Sequence, residues 1–160
     1  GVRTGLFVSP HLASFRERIQ VNSELLPEES FVANLQTLLG ACAEHKIPAT
    51  EFELTFLMAA LHFKQTNCEA VVLEVGCGGE YDATNVFNTA LSIICSVSLD
   101  HTRILGSTVE AIGRNKAGIF RKNTPALVGP GVPLSEMQDV AQQRGTPLYT
   151  YDSAYEEFKP

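Results

Sequence analysis

Two near-continuous apolar runs constrain the fold of this chain more than any other feature of its sequence. One covers residues 70–75 and the other covers residues 92–99, and both are rich in β-branched side chains. Runs of this kind are typical of parallel strands that are buried on both faces. Helical patterns precede and follow them along the chain. We therefore predict an α/β fold in which a mostly parallel sheet is flanked by helices, with right-handed crossovers.

The remaining elements follow from periodicity and from end signals. Strands are predicted at residues 6–8, 126–128 and 147–150, whereas residues 16–21 fit either a half-exposed strand or an extended loop. Helices are predicted after Pro27, over residues 108–118 and over residues 133–144. Thr50 and Glu53 have the spacing of a capping box, which predicts a further helix through residue 65. Its sides are mostly apolar, so we expect it to be buried.

Composition excludes several classes of protein. The 160 residues suit one domain with a proper core, and a net charge of −6 argues against a binder of nucleic acid or of membrane surfaces. The four cysteines form no C-x-x-C pair, which favours a reducing, intracellular compartment. The first residues resemble neither a signal nor a transit peptide, and their pattern is that of a strand that runs into a loop. We expect the sequence to begin partway through something larger.

Ionisable groups stand at the ends of the two apolar runs. Glu74 is followed by a glycine-rich stretch, and Asp100-His101 follows the second run. Ligands bind beyond the carboxyl ends of strands in open α/β sheets. If the two strands are close, Glu74 and His101 meet at one edge, where they could bind a metal ion or perform acid–base chemistry. The alternatives are a salt bridge for Glu74, a turn cap for Asp100-His101 and a solvated helix end for Lys116.

A set of motifs in a fixed order closely resembles folylpolyglutamate synthase and dihydrofolate synthase, of the Mur ligase superfamily. The motifs are Thr4-Gly5, Ser9-Pro10-His11-Leu12, Phe15-Arg16-Glu17-Arg18-Ile19, Glu74-Val75-Gly76-x-Gly78-Gly79-x-x-Asp82-Ala83-Thr84-Asn85, Asp100-His101-Thr102-x-x-Leu105-Gly106 and Lys116-Ala117-Gly118-Ile119. The resemblance implies a P-loop NTPase-like central domain. It also implies an ATP-dependent ligase that activates a folate carboxylate as an acyl phosphate, which the amine of glutamate then attacks.

The resemblance also implies roles for individual residues. Ser9, Glu74 and His101 match the family's magnesium site, and Lys116 matches a lysine that the family carries in carbamylated form. His101 and Lys116 are thus the expected catalytic positions, with ATP and Mg²⁺ as cofactors. Histidine is an unusual ligand for so hard an ion. Two segments match the part of the family that binds the pterin of folate or dihydropteroate: Thr50, Glu51, Phe52 and Glu53, and Tyr81, Asp82 and Ala83.

These assignments have structural alternatives. Phe52 could be a core residue of the first helical turn, and Thr50 and Asp82 could be caps or turn formers. The segment from Ser9 to Arg18 resembles the family's mobile loop over the active site, with Arg16 and Arg18 available to anionic groups.

Parts of the family pattern are not found in this sequence. It contains no G-x-x-x-x-G-K-[ST] phosphate-binding loop, which in the family lies upstream of the first motif, and no carboxyl-terminal domain. Cys77 and Glu80 stand where an aliphatic and a basic residue are usual. We therefore expect residues 1–160 to be a partial central domain that is inactive alone.

Two other functions remain open at this point. One is a non-catalytic relative that binds a pterin or regulates a partner, and the other is a metal-dependent hydrolase that uses Glu74, Asp100 and His101. The expected partners are small molecules, namely folate or dihydropteroate, glutamate and ATP, with no nucleic acid and no membrane. The expected location is the cytoplasm, with the mitochondrion as the alternative. The motifs do not separate dihydropteroate from reduced folate and do not define an oligomeric state.

Overall fold

A computed structural model describes residues 1–151 of the chain. It divides into two compact units, one of residues 1–76 and one that begins at Cys77. Strands and helices occur in both, which confirms the α/β class. The strands form two separate sheets, whereas the sequence pattern predicted one.

The first unit joins a mixed sheet to a pair of helices. Its elements are β1 (Thr4–Phe7), β2 (Ile19–Val21), β3 (Glu24–Leu25), α1 (Glu28–His45), α2 (Glu51–Gln65) and β4 (Ala70–Leu73). The sheet order is β3-β2-β1-β4, with β1 and β4 parallel and the other pairs antiparallel. Phe7, Phe56 and Phe63 are among its buried side chains, and the ring of Phe7 meets that of Phe56 edge-on at 5.6 Å between centroids.

Residues 16–21 are a strand only in their second half, and their first half adopts a conformation that neither alternative predicted. Phe15–Arg18 form a 3₁₀ turn, and β2 follows directly as a strand. Strand β4 differs from expectation, since it lies at the edge of this sheet and leaves Val71 44% and Val72 56% exposed. The apolar run therefore does not mark a central strand within the described residues.

The second unit is built on a parallel sheet. Its elements are β5 (Ser92–Ile94), α3 (Thr102–Leu105), α4 (Val109–Lys116), β6 (Ala126–Val128), α5 (Leu134–Arg144) and β7 (Leu148–Thr150). The sheet order is β5-β6-β7. Ile112, Met137 and Val128 are completely buried in its core, so α4 and α5 both pack their apolar faces onto this sheet. In the described range, no helix is both long and apolar enough to cross a membrane.

Candidate functional site

Ser9 and Glu74 are brought together by the parallel pairing of β1 and β4. Phe7 is the register partner of Leu73, so the two chains leave the sheet side by side. The Glu74 N–H donates to the carbonyl of Phe7 at 2.9 Å, and the Ser9 N–H donates to Glu74 Oε2 at 2.6 Å. The parallel register thus places Ser9 and Glu74 side by side at the carboxyl ends of β1 and β4. Both residues were predicted from the sequence to serve one site.

The chemistry of these two groups fits a hard divalent cation. Mg²⁺ prefers oxygen ligands and usually takes only one or two carboxylates from the protein. Glu74 is exposed, and the bond from Ser9 engages one of its two carboxylate oxygens. Among the described residues, no group of three or more His, Cys, Asp and Glu side chains could hold a metal ion. Ser9 and Glu74 could contribute two oxygen ligands to a site for such an ion.

His101 lies in the second unit, at the start of α3. Its backbone is left-handed, with φ of 47°, and its N–H donates to Asp100 Oδ1 at 2.7 Å. His101 Nε2 is 3.7 Å from Asp100 Oδ2. Asp100 thus contacts its neighbour, whereas His101 makes no side-chain capping bond to α3, so the turn-cap alternative is met only in part. Strands β4 and β5 belong to different sheets, so strand pairing does not bring Glu74 and His101 to one edge as the sequence argument supposed. The role of His101 stays a prediction.

The predicted pterin segment of the first unit opens α2. Thr50 Oγ1 accepts from the Glu53 N–H at 3.3 Å, while Glu53 Oε2 accepts from the Thr50 N–H at 2.7 Å, which confirms the capping box. The N–H and then the hydroxyl of Thr50 lower the pKa of the Glu53 carboxyl. Glu51 is exposed in the first turn. Thr50 and Glu53 therefore have a structural role, whether or not they also bind a ligand.

Phe52 is held in a defined position near the end of β4. Its ring is edge-on to that of Phe7, with 5.7 Å between centroids. A Cβ on Gly76 would lie 2.4 Å from Phe52 Cζ. The lack of a side chain at Gly76 therefore makes room for this aromatic ring. The position is consistent with both readings of Phe52, as part of the core and as a surface for a planar ligand.

The glycine-rich loop that begins the second unit is closed by Asp82. Its Oδ2 accepts from the Cys77 N–H at 3.0 Å, and its Oδ1 accepts from the N–H of Thr84 at 2.9 Å and from the Thr84 hydroxyl at 2.6 Å. Asp82 is thus a turn former, as the structural alternative proposed. Ala83 begins a 3₁₀ turn. Tyr81, by contrast, is 88% exposed and presents its ring to solvent.

Lys116 ends α4, and its main chain touches this loop. The Glu80 N–H donates to the Asn115 carbonyl at 3.0 Å. A Cβ on Gly79 would lie 2.6 Å from the Lys116 carbonyl oxygen. The loop approaches the end of α4 so closely that only glycine fits at position 79 without displacing main chain. Two of the predicted site segments, the loop and Lys116, therefore form one structural cluster in this unit.

Four charged residues contribute contacts that the sequence analysis did not assign. Arg121 and Arg144 donate to the main chain around Gly118, and Arg144 also pairs with Glu80. Glu17 accepts the N–H groups of Leu12, Ala13 and Ser14. Most of these partners are distant in the sequence and could not be predicted from it. The exception is the capping-box spacing of Ser14 and Glu17, which is a signal in the sequence itself.

Arg16 and Arg18, which were expected to be available to anionic groups, are both engaged by protein groups, Arg16 outside the loop and Arg18 within it. Arg16 pairs with Glu28 at 3.2 Å, and Arg18 donates to His11 Nδ1 at 3.1 Å and lies over the Phe15 ring.

Known proteins resemble the chain in sequence and in fold. It is 42% identical over 148 residues to the dihydrofolate synthase/folylpolyglutamate synthase of Escherichia coli, a match that covers 92% of this chain and 35% of that relative. The mitochondrial folylpolyglutamate synthase of Cricetulus griseus is 40% identical over 160 residues, covering 93% of this chain and 27% of the relative. No family model matches the chain.

Solved structures agree with these relatives. The structure of E. coli FolC in complex with DHPP and ADP matches with a TM-score of 0.88 at 42% identity, covering 93% of this chain and 36% of that one. A bifunctional folylpolyglutamate synthase/dihydrofolate synthase with Mn, AMPPNP and L-glutamate bound matches with a TM-score of 0.85 at 39% identity, covering 93% and 36%. The fold is therefore that of a Mur ligase-type α/β protein.

Within that class, the chain is homologous to part of the folylpolyglutamate synthase/dihydrofolate synthases. It spans about a third of the length of the relatives that it matches. At the level of the family, the expected cofactors and small-molecule ligands are confirmed, because the related structures hold ADP or AMPPNP, Mn, L-glutamate and DHPP.

Proposed function

We propose that this chain is the part of an ATP-dependent ligase that carries the metal-binding and pterin-binding residues, and that the whole enzyme joins glutamate to folate or dihydropteroate. One observation carries the proposal: the hydrogen bond from Ser9 to Glu74 brings together two residues that match the family's metal site, at the end of adjacent parallel strands. The proposal is supported by the relatives, a dihydrofolate synthase/folylpolyglutamate synthase and a folylpolyglutamate synthase, which share about 40% of the matched residues with this chain.

The reaction joins an anionic carboxylate to an anionic phosphate, so repulsion must be offset before an acyl phosphate can form. A divalent cation, when bound, supplies Lewis-acid stabilisation of the phosphoryl oxygens. In this chain, Ser9 and Glu74 would hold that cation through oxygen. His101 is proposed as a further ligand, an unusual one for an ion that prefers oxygen. Carbamylation of Lys116 would convert an ammonium into an oxygen-bearing anion, a change that makes a lysine compatible with a nearby metal.

The aromatic residues would recognise the pterin. Tyr81 offers an exposed ring next to the glycine-rich loop, and Phe52 offers a ring that Phe7 and Gly76 hold in place. Planar heteroaromatic rings stack on such faces. Asp82 uses both carboxylate oxygens to close the loop. Its proposed role is therefore to position Tyr81 and Ala83, and a hydrogen bond to the pterin would be a second role.

The isolated chain is proposed to be inactive. The test is an amide-ligation assay with ATP, Mg²⁺, glutamate and dihydropteroate or a reduced folate, followed by mass spectrometry of the products. The chain alone should form no glutamyl product. A chimera in which the chain replaces its matched segment of the E. coli relative should form it. Product from the isolated chain would refute the claim that the fragment is inactive, and a folded but inactive chimera would refute the proposed ligase function.

The alternative is a non-catalytic relative that binds a pterin or regulates a partner. Retention of Ser9, Glu74, His101 and Lys116 argues against it, because such a relative would be free to lose them. In the chimera, cation binding distinguishes the ligase from the metal-dependent hydrolase that the sequence also left open. The ligase should bind Mg²⁺ together with nucleotide, whereas a hydrolase would hold a transition metal tightly without nucleotide. The proposed location is the cytoplasm or the mitochondrion, the latter because some relatives are named as mitochondrial.

A further inference from the structure

The carbonyl oxygen of Gly118 receives three side-chain donors. Arg144 Nη1 donates to it at 2.8 Å, and Arg121 Nη1 and Asn85 Nδ2 each donate at 3.3 Å. A main-chain carbonyl has two lone pairs, so it is seldom the acceptor of two guanidinium groups and an amide together. Gly118 is buried and stands two residues after Lys116. The turn that follows Lys116 is therefore anchored at one atom by three separate parts of the chain.

Arg144 connects this turn to the glycine-rich loop. It is the last residue of α5, and its guanidinium also donates to the Phe120 carbonyl at 3.4 Å and to Glu80 Oε1 at 3.2 Å. The planar fork of arginine allows these contacts from one side chain. The Arg144 and Glu80 side chains are 33% and 42% exposed, so solvent screens their ion pair. The bonds to the carbonyls are therefore the more important contribution.

Arg121 makes an equivalent connection at the other end of the loop. Its Nη2 donates to both the main-chain oxygen and the Oδ1 of Asn85, each at 2.6 Å. Asn85 in turn donates from Nδ2 to the Glu80 carbonyl at 3.0 Å. Arg121, Asn85 and Arg144 thus form a continuous network around the loop and the turn, which we call the arginine brace.

The main chains that the brace joins have no space between them. A Cβ on Gly118 would lie 2.3 Å from Glu80 Cβ and 2.5 Å from Glu80 Cα. A displacement of the turn therefore displaces the loop as well. This contact therefore couples the orientation of Lys116, just before the turn, to the position of Tyr81 on the loop.

We propose that Arg121 and Arg144 are positioning residues, which fix the turn after Lys116 against the glycine-rich loop and so set where Lys116 and Tyr81 stand. That this affects ligand binding rests on the proposed function, since it takes the loop to be part of the pterin site. The brace itself does not depend on it.

The first test is amide hydrogen exchange in the isolated chain, resolved by NMR. The Glu80 N–H is the reporter, because its bond to the Asn115 carbonyl spans the loop and α4. Arg144→Gln should accelerate its exchange by about tenfold, since hydrogen bonds from a charged donor are lost. Arg114→Gln is the matched control. Arg114 lies on α4 and pairs with Asp139 of α5 at 2.9 Å, so its loss also removes a guanidinium contact of α5 but breaks no bond to the loop or to the turn.

Equal exchange in Arg144→Gln and the native chain would overturn the proposal, and so would equal acceleration by Arg114→Gln. Arg144→Lys adds a milder variant that keeps the charge opposite Glu80 but loses the planar fork. It should restore slow exchange only in part. Full restoration would mean that the ion pair alone is sufficient and would refute the anchoring at the Gly118 and Phe120 carbonyls.

The second test is equilibrium binding of folic acid to the same chains. Arg144→Gln should weaken binding by about tenfold, whereas its thermal unfolding midpoint should stay close to that of Arg114→Gln. Unchanged affinity in Arg144→Gln would refute the positioning role. If the native chain binds no folic acid, the same comparison is made in the chimera with the E. coli relative, where absence of binding would refute the proposed pterin site. The exchange experiment decides separately whether the brace exists.

Discussion

Replacing Gly118 by alanine should destabilise the second unit, although alanine normally stabilises helical segments. The added Cβ would lie 2.5 Å from Glu80 Cα and 2.8 Å from Glu80 N, which are main-chain atoms that cannot rotate away. Overpacking costs about 1–3 kcal/mol, and the rigid neighbours favour the upper part of that range. Reduced freedom of the unfolded chain returns about 0.4–1 kcal/mol. The expected net loss is about 2 kcal/mol.

The assay is urea unfolding followed by circular dichroism. With a slope of about 1–3 kcal/mol per molar urea, the midpoint of the second unit should fall by about 1 M. Gly40→Ala is the matched control, because Gly40 lies inside α1 with no atom within 4 Å of the new Cβ. That substitution should raise stability by about 1 kcal/mol. An unchanged or raised midpoint in Gly118→Ala would refute the close packing of loop and turn.

Three further predictions concern the first unit. The N–H groups of Leu12 and then Ser14 lower the pKa of Glu17 below its usual 4.5. The stability that Glu17 contributes is therefore present above pH 4.5 and is lost as pH falls through the lower pKa of the folded state. Urea unfolding of Glu17→Gln should show a weaker pH dependence in that range. Burial lowers the pKa of His62 below 6.5. The unfolded chain therefore takes up the proton first, and stability falls as pH drops below 6.5. His62→Gln should remove this loss when urea unfolding is measured over the same pH range. Gly76→Ala should displace the Phe52 ring, because the new Cβ would lie 2.4 Å from Phe52 Cζ. The nuclear Overhauser contact between Phe52 and Phe7 should weaken, with little change in stability.

Local signals in the sequence predicted α1, α2, α4 and α5, but they missed the short helix α3 (Thr102–Leu105). Thr50 and Glu53 predicted the start of α2 because a capping box involves only neighbouring residues. Ser9 and Glu74 were matched to one site by resemblance, and the parallel register of β1 and β4 explains how they meet. Asp82 was correctly given a turn-forming alternative, since short side chains of this type bond to nearby N–H groups.

Non-local contacts account for what the sequence did not predict. Arg144 and Glu80 are 64 positions apart, and nothing in the pattern of α5 distinguishes Arg144 from an ordinary helix-end arginine. The edge position of β4 was missed because an apolar run reports burial or β-propensity without identifying the neighbouring strand. The sequence argument joined Glu74 to His101 only on the condition that their strands are close, and β4 and β5 do not pair, so that part of the site stays a prediction.

The most direct test of the account is the ligase activity of a Glu74→Gln variant of the chimera with the E. coli relative. Removing the carboxylate while keeping its shape should lower glutamyl product formation by about 10²–10³-fold, the range for loss of one group that stabilises transition-state charge. The chimera should remain folded, and the matched variant Glu24→Gln, at an exposed carboxylate on β3, should keep full activity. Full activity in Glu74→Gln would contradict the account.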